Sequence, residues 1–377
     1  MTLKIAIDGR CLTDHFPGIG RYLFNLLRSM PAVARDVELN LFVSEEEPNS
    51  RFELERLSKL GIQLIPTSSS VRSLGQQFEL PRQLRQLGAD VFHAPYFATA
   101  YRVPCPLVVG LYDTIASRFP EVVPSTRARL AVGVGTRLAA RSARFVITLS
   151  RFAKNDLVET YQIPADRVVV TPGAPPEDFQ PATDEDMAEL QQRLGLPERF
   201  ALHVGTNKPH KNLERLLNAW AELQRSADAD CGLVLAGAHD PQHLDTAALA
   251  DQLQLMGFRQ LGPVAERDMA ALYSSARLLV VPSLYEGFGL PVLESMACGT
   301  PVACSKASSL PEVAGHAAVY FDPEDSGSIV QSLQRLFKNP GYRRMLGERG
   351  RQRTAQLSWK QAARLTLDAY RRAASDD

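Results

Sequence analysis

The sequence predicts an α/β protein of two Rossmann-like, doubly wound domains facing across a cleft, and three observations carry that expectation. Short apolar runs alternate with helix-like segments, the order expected of parallel sheets covered by helices. Residues 171–181 break the alternation with four prolines and a glycine, where neither strand nor helix runs well. The chain has 377 residues, more than one hydrophobic core usually accommodates.

In order, the first half shows strand-like runs at 4–7, 38–43, 89–93, 107–112 and 145–149, with helix-like segments at 20–27 and 150–161. After the break, strand-like runs recur at 200–204, 232–236, 276–281, 301–304 and 318–321. The expected division is 1–172 for the first domain and 173–358 for the second, with 359–377 forming a helix that returns to the first. Ligands of such sheets bind beyond the carboxyl ends of the strands, so the residues just after each strand are the candidates for function.

Composition is that of an ordinary globular protein, with 45% hydrophobic and 22% charged residues. Cys11, Cys105, Cys231, Cys298 and Cys304 are odd in number and form no Cys-x-x-Cys pair, which argues against a disulfide framework and a zinc site. The opening residues read as a strand that meets Asp8 at once, unlike a signal peptide or membrane span. A cytoplasmic protein is expected. Basic and acidic residues number 42 each, so net charge makes no case for nucleic acid. Locally, residues 70–145 hold ten Arg and four acids. Five of those arginines, Arg127, Arg129, Arg137, Arg141 and Arg144, are expected on one helix. That helix reads either as a solvated face or as a surface for the inner face of the cell membrane, with salt-sensitive binding to anionic lipid.

The most informative stretch runs from Ser283 to Gly299, directly after a strand-like run. Pro291 suits the start of a helix and Gly299 its end, so Glu286, Gly287, Phe288, Gly289 and Leu290 form a loop at a helix N-terminus, which favours an anion. Glu294 is expected in the first helical turn. Two carboxylates so placed suit a polyhydroxylated ligand, although Glu294 alone also reads as a complement to the helix dipole. A second segment, Gly205-Thr206-Asn-Lys208-Pro-His-Lys211-Asn, follows the run at 200–204. There Lys211 stands at a helix entrance and, with Lys208, can neutralise a diphosphate. Ser309 and Glu312 read as a capping box.

In the first domain, Gly18, Gly20 and Arg21 follow the opening strand but lack the third glycine of a dinucleotide fingerprint. His93, Tyr112 and Asp113 stand at other strand ends, where each is a candidate contact or a structural residue. Asp228 and Asp230 imitate a metal-binding pair of another class of sugar transferase but read as a loop. No cluster has metal-ligand spacing, so no metal or cofactor is expected.

The run EGFGLPVLE at 286–294 resembles the Glu, seven residues, Glu signature of the large retaining glycosyltransferase family four, whose fold is GT-B. The resemblance extends through PGIGRY (17–22), ITLSRFAKNDL (147–157), VVVTPGAPPEDF (168–179), GTNKPHKN (205–212), LGPVAERDMAALY (261–273) and AAVYFDPED (317–325). It implies that Glu286 and the backbone of 288–290 face the donor sugar and phosphate. Glu294 would hold the ribose, Lys211 the diphosphate, and the backbone near Val264 the base, with no required cofactor beyond the nucleotide-sugar co-substrate. Many relatives carry Arg where this chain has Thr206, and His where it has Tyr112. The resemblance further implies a bacterial mannosyltransferase-like enzyme using a GDP-sugar and a glycan or lipid-linked acceptor. A nucleotide-sugar epimerase on the same fold, a nicotinamide-dependent oxidoreductase and a non-catalytic binding module are the alternatives.

Overall fold

The computed structural model describes residues 2–34, 36–44, 46–226 and 231–375. The chain forms two compact units, Met1–Thr114, Ser125–Gly173 and Ser358–Asp377 in one, Ile115–Pro124 and Ala174–Leu357 in the other. The expected division differs from this in that residues 115–124 group with the second unit, while Gly173 and Ser358 fall in the first.

In the first unit, β1 (Leu3–Asp8), β2 (Val37–Ser44), β3 (Gln63–Thr67), β4 (Val91–Ala94), β5 (Leu107–Gly110), β6 (Phe145–Thr148) and β7 (Val168–Val170) form a parallel sheet ordered β3-β2-β1-β4-β5-β6-β7. In the second, β8 (Phe200–Val204), β9 (Gly232–Ala236), β10 (Arg259–Gln260), β11 (Leu278–Val281), β12 (Val302–Ser305) and β13 (Ala318–Phe321) form a parallel sheet ordered β10-β9-β8-β11-β12-β13. The central strands are buried along their length, as β4, β5, β9, β11 and β12 show, because helices cover both faces of such sheets. Both sheets reverse direction next to their first strand. The switch points lie between β1 and β4 and between β8 and β11, where open α/β sheets bind ligands.

The strands absent from the sequence expectation, β3, β7 and β10, are edge strands. Pro66 interrupts β3, β7 has three residues and β10 two, so none presents a long apolar run. The segment 171–181 contains no helix or strand.

The first unit's core joins the helix Gln76–Leu87 to β4, β5 and β6 through Leu80, Leu84, Phe92, Val109 and Val146. The terminal helix Trp359–Ala374 belongs to this unit. It buries Trp359 against Tyr22, with ring centroids 5.6 Å apart, and sets the Tyr370 hydroxyl 2.6 Å from Nδ1 of His93. The second unit's core centres on Trp220 in the helix Leu213–Arg225. Among the described residues, no helix is long and apolar enough to cross a membrane.

Candidate active site

At the second switch point, the loops after β8 and β11 are tied together. The amide of Leu284 donates to the carbonyl of His210 at 2.8 Å. Asn212, in the left-handed region at φ 58°, donates its side-chain amide to the carbonyls of Pro282 and Pro323 at 3.0 and 2.8 Å. A one-turn helix, Pro209–Lys211, precedes Asn212 and the long helix begins at Leu213, so Lys211 stands where the sequence places it.

The Lys211 ammonium lies 2.7 Å from Oε1 of Glu286, with the two side chains 16 and 13% exposed. Ser283 donates its hydroxyl to the same oxygen at 2.7 Å. Burial pushes the Glu286 carboxyl up, but the charge and hydrogen bond of Lys211, with Ser283, outweigh it and hold it below the ordinary value. Glu286 is thus an anion paired to a cation that solvent still reaches.

The loop around Glu286 is pinned from below. Its amide donates to the Ser308 hydroxyl at 2.9 Å, and Ser308 holds φ 54°, unusual for a residue with a side chain. The Ser309 hydroxyl is shared between the carbonyls of Glu286 and Phe288 at 2.9 and 2.8 Å. The expected capping box is therefore corrected: Ser309 makes no side-chain cap to its own helix because its hydroxyl serves the loop. Gly289 then takes φ 104°, which favours glycine, and starts the helix Leu290–Ala297, with Pro291 in the first turn and Gly299 just past the end. The first N–H groups of that helix have no intrahelical acceptor.

Two buried imidazoles underlie the pair. Nδ1 of His203 is 3.0 Å from the Val280 carbonyl, so it carries the proton in the neutral ring. A Cβ on Gly205 would meet Nε2 of His203 at 3.0 Å and Cε of Lys211 at 3.6 Å, so Gly205 keeps a narrow space above the ring. Burial pushes His203 down to about 4, and His210 likewise, with Lys211 adding to the effect. Both are neutral near pH 7, leaving the local positive charge to the lysine. Residues 115–124 add Phe119, 5.9 Å from the His210 ring and 6.3 Å from Tyr285, and Arg118 over Tyr285.

Lys208, Thr206 and Val264 are half-buried in the loops after β8 and β10. Gly287 and Phe288 are buried and Leu290 half-buried. Glu294 departs from expectation. It is the fifth helical residue, past the first turn, fully buried, and accepts a hydrogen bond from the Tyr273 hydroxyl at 2.8 Å. The structure brings Lys211 and Glu286 together and packs Glu294 into the core.

The first unit's candidates divide similarly. Gly18 is exposed with open space where a Cβ would stand, whereas Gly20 is buried and a Cβ there would lie 2.7 Å from the Phe52 ring. Gly20 is a packing residue. Arg21 and Asp113 are half-buried. His93 is corrected from a ligand candidate to a core residue: it has no exposed surface and is sealed by Tyr370, and burial pushes it down to about 3. Tyr112 is corrected as well. Its hydroxyl turns inward, and a Cβ on Gly110 would come within 2.4 Å of it. That oxygen is buried without a hydrogen-bond partner and the ring packs 5.5 Å from Tyr22, so the hydroxyl is turned away from any ligand although the residue as a whole is half-buried. Asp228 and Asp230 lie outside the described residues, among which no group of three or more metal-ligating side chains occurs.

Sequence reasoning did not single out Ser283, Ser308, His203, Asn212, Phe119 or Gly237. Gly237 takes φ 140°, and a Cβ there would lie 2.1 Å from the Gly205 carbonyl oxygen. Its position directly after β9 was the signal available.

Residues 186–353 match the family model described as glycosyl transferases group 1, and residues 17–174 match glycosyltransferase family 4. The O-antigen chain mannosyltransferase B of Escherichia coli is 31% identical over 382 residues, covering 98% of this chain and 100% of that one. The chain belongs to glycosyltransferase family four. Its fold is GT-B, and it is a glycosyltransferase. Sucrose-phosphate synthase from Thermosynechococcus elongatus superimposes with a TM-score of 0.77 at 22% identity, covering 98% of each chain. The Anabaena protein HepE, in complex with UDP and glucose, gives 0.74 at 19% identity, covering 97% of this chain and 98% of that one.

Proposed function

We propose that this glycosyltransferase moves mannose, or a related deoxyhexose, from a GDP-linked donor to a glycan or lipid-linked glycan in surface polysaccharide synthesis, with retention at the anomeric carbon. The observation that carries it is the Lys211–Glu286 pair at the second switch point, 2.7 Å apart and still open to solvent, beside a helix-start loop. The whole-length likeness to an O-antigen mannosyltransferase supports the choice of sugar and product class.

In this scheme the diphosphate takes the Glu286 carboxylate's place at Lys211, with Lys208 and the loop amides of 288–290 sharing its charge. Glu286, released from the ammonium, accepts from hydroxyls of the donor sugar. The bond from the anomeric carbon to the phosphate oxygen breaks and the electron pair leaves on the diphosphate. The acceptor oxygen bonds to the same face of that carbon, and its proton passes to a phosphate oxygen. Stabilising the leaving diphosphate is the main catalytic contribution. Asp113 is assigned to the catalytic groups with Lys211 and Glu286, and the backbone near Val264 to the base. Glu294 reaches the ribose only if its carboxylate leaves Tyr273. Charge neutralisation by the lysines leaves no required metal or other cofactor in this scheme.

The test is turnover of GDP-mannose with and without a mannose-terminated oligosaccharide, read by NMR of the products. A new α-linked mannoside only when acceptor is present supports the proposal. An altered nucleotide sugar formed without acceptor points to an epimerase, and a β-linkage removes retention.

A further inference from the structure

The helix Thr126–Ser142 of the first unit has its large apolar residues on the solvent side. Its buried positions are small, Gly135, Thr136, Ala139 and Ala140, while Leu130, Val134 and Leu138 are 68, 46 and 41% exposed. A surface helix ordinarily shows the reverse pattern. Steps of three and four residues put Leu130, Val134 and Leu138 on one face together with Arg127, Arg137 and Arg141, which are also exposed. No acid occurs between Ser125 and Ser142.

A second pair extends this surface. Leu74 and Phe78 are 84 and 81% exposed, one turn apart at the start of the helix Gln76–Leu87, with Arg72 and Arg82 exposed beside them. Gln77 of that helix donates to the Thr99 carbonyl at 2.8 Å and accepts from the Tyr101 amide at 3.2 Å. The same loop reaches the arginine-bearing helix: a Cβ on Gly135 would lie 3.0 Å from the Tyr101 hydroxyl and 3.2 Å from the Phe97 ring. The two apolar groups thus flank one loop. Glu79, the acid of the helix Gln76–Leu87, is engaged by the amides of Ser68 and Ser69 at 3.0 and 2.8 Å.

We infer that this face docks on an anionic lipid bilayer. Leu74, Phe78, Leu130, Val134 and Leu138 enter the boundary between headgroups and acyl chains, while the arginines stretch to lipid phosphates. Charge selects the bilayer over a second copy of the chain, because self-association would set arginine against arginine. The inference accords with a lipid-linked acceptor but is read without donor or turnover, so either proposal can fail alone.

The test is partition of the full chain onto phosphatidylcholine vesicles with and without phosphatidylglycerol, at low and high salt. Binding is expected to the mixed vesicles only and to fall with salt. R127Q/R141Q lowers the partition coefficient roughly 30-fold, and L130S/L138S roughly ten-fold. Because these side chains are exposed, the unfolding temperature stays that of the parent, and F78W fluorescence shifts to the blue on mixed vesicles as a second readout. Equal binding to neutral vesicles, no binding, or variants that partition like the parent overturns the inference. So does a dimer in sedimentation that L130S/L138S dissociates.

Discussion

Each unit carries an ion pair in the loops at a switch point, and the two pairs are built to opposite ends. In the first, Arg10 bonds Asp8 through Nε and Nη2 at 2.8 and 2.7 Å, and adds the Ser69 carbonyl and Gln76 at 2.8 and 2.9 Å. Its side chain has no exposed surface and that of Asp8 5%. In the second, one ammonium meets one carboxylate oxygen, and both side chains remain partly exposed. A sealed, fully bonded pair holds a loop in shape. A pair with solvent access and spare donors on its lysine can exchange a carboxylate for a phosphate. Shared topology thus places a charge pair at both switch points, and burial decides which one is available to a ligand.

The largest effect is expected where the sealed pair is broken. Asp8→Asn leaves the Arg10 charge buried and lowers folding stability by about 3–5 kcal/mol, read from urea unfolding, while Glu286→Gln loses much less. Lys211→Ala reverses the pattern, keeping most stability but lowering kcat/KM roughly 100-fold, about 3 kcal/mol of transition-state stabilisation. A stability loss equal to that of Asp8→Asn would erase the distinction between the pairs.

Acid sensitivity follows from the histidines. His93 is held down to about 3, and His203 and His210 to about 4, against about 6.5 unfolded. The unfolded chain binds more protons between those values, so stability is full above about pH 6.5 and declines as pH falls toward about 4. Each histidine should contribute on the order of 2 kcal/mol of loss by about pH 5. A urea midpoint unchanged between neutral and mildly acid pH would contradict neutral burial.

Smaller effects separate closed from open backbone in the first unit. Gly20→Ala drives a methyl into Phe52 and should lower stability by at least about 1 kcal/mol, whereas Gly18→Ala meets nothing and should be neutral or slightly stabilising. Smallest is Tyr112→Phe. It removes an unpartnered hydroxyl, so stability and kcat/KM should stay close to the parent, and a ten-fold loss of kcat/KM would restore Tyr112 as a donor contact.

The sequence made legible those features that local pattern encodes. Central strands such as β9 and β11 appear as uninterrupted apolar runs, and Pro291 and Gly299 frame their helix as their backbone preferences require. The lysine and glutamate of the pair were found because each follows such a strand. Glu294 falls just outside the expected first turn because its helix starts at Leu290 and not at Pro291, which moves the residue one position further along, and its burial against Tyr273 comes from tertiary packing. For His93 and Tyr112 the sequence leaves contact and structural roles open, because the residues that pack against them, Tyr370 and Tyr22, are remote in sequence. Ser309 satisfied a capping pattern while its hydroxyl went to carbonyls of Glu286 and Phe288, a choice only tertiary structure reveals.

The most direct measurement is the affinity of GDP, by calorimetry, for the parent, Lys211→Ala and Arg10→Lys. The account predicts that Lys211→Ala weakens binding by roughly ten-fold or more, while Arg10→Lys, even where it lowers stability, leaves affinity unchanged in the folded protein. GDP bound equally well by the parent and Lys211→Ala would contradict the central claim that the open pair receives the donor's diphosphate.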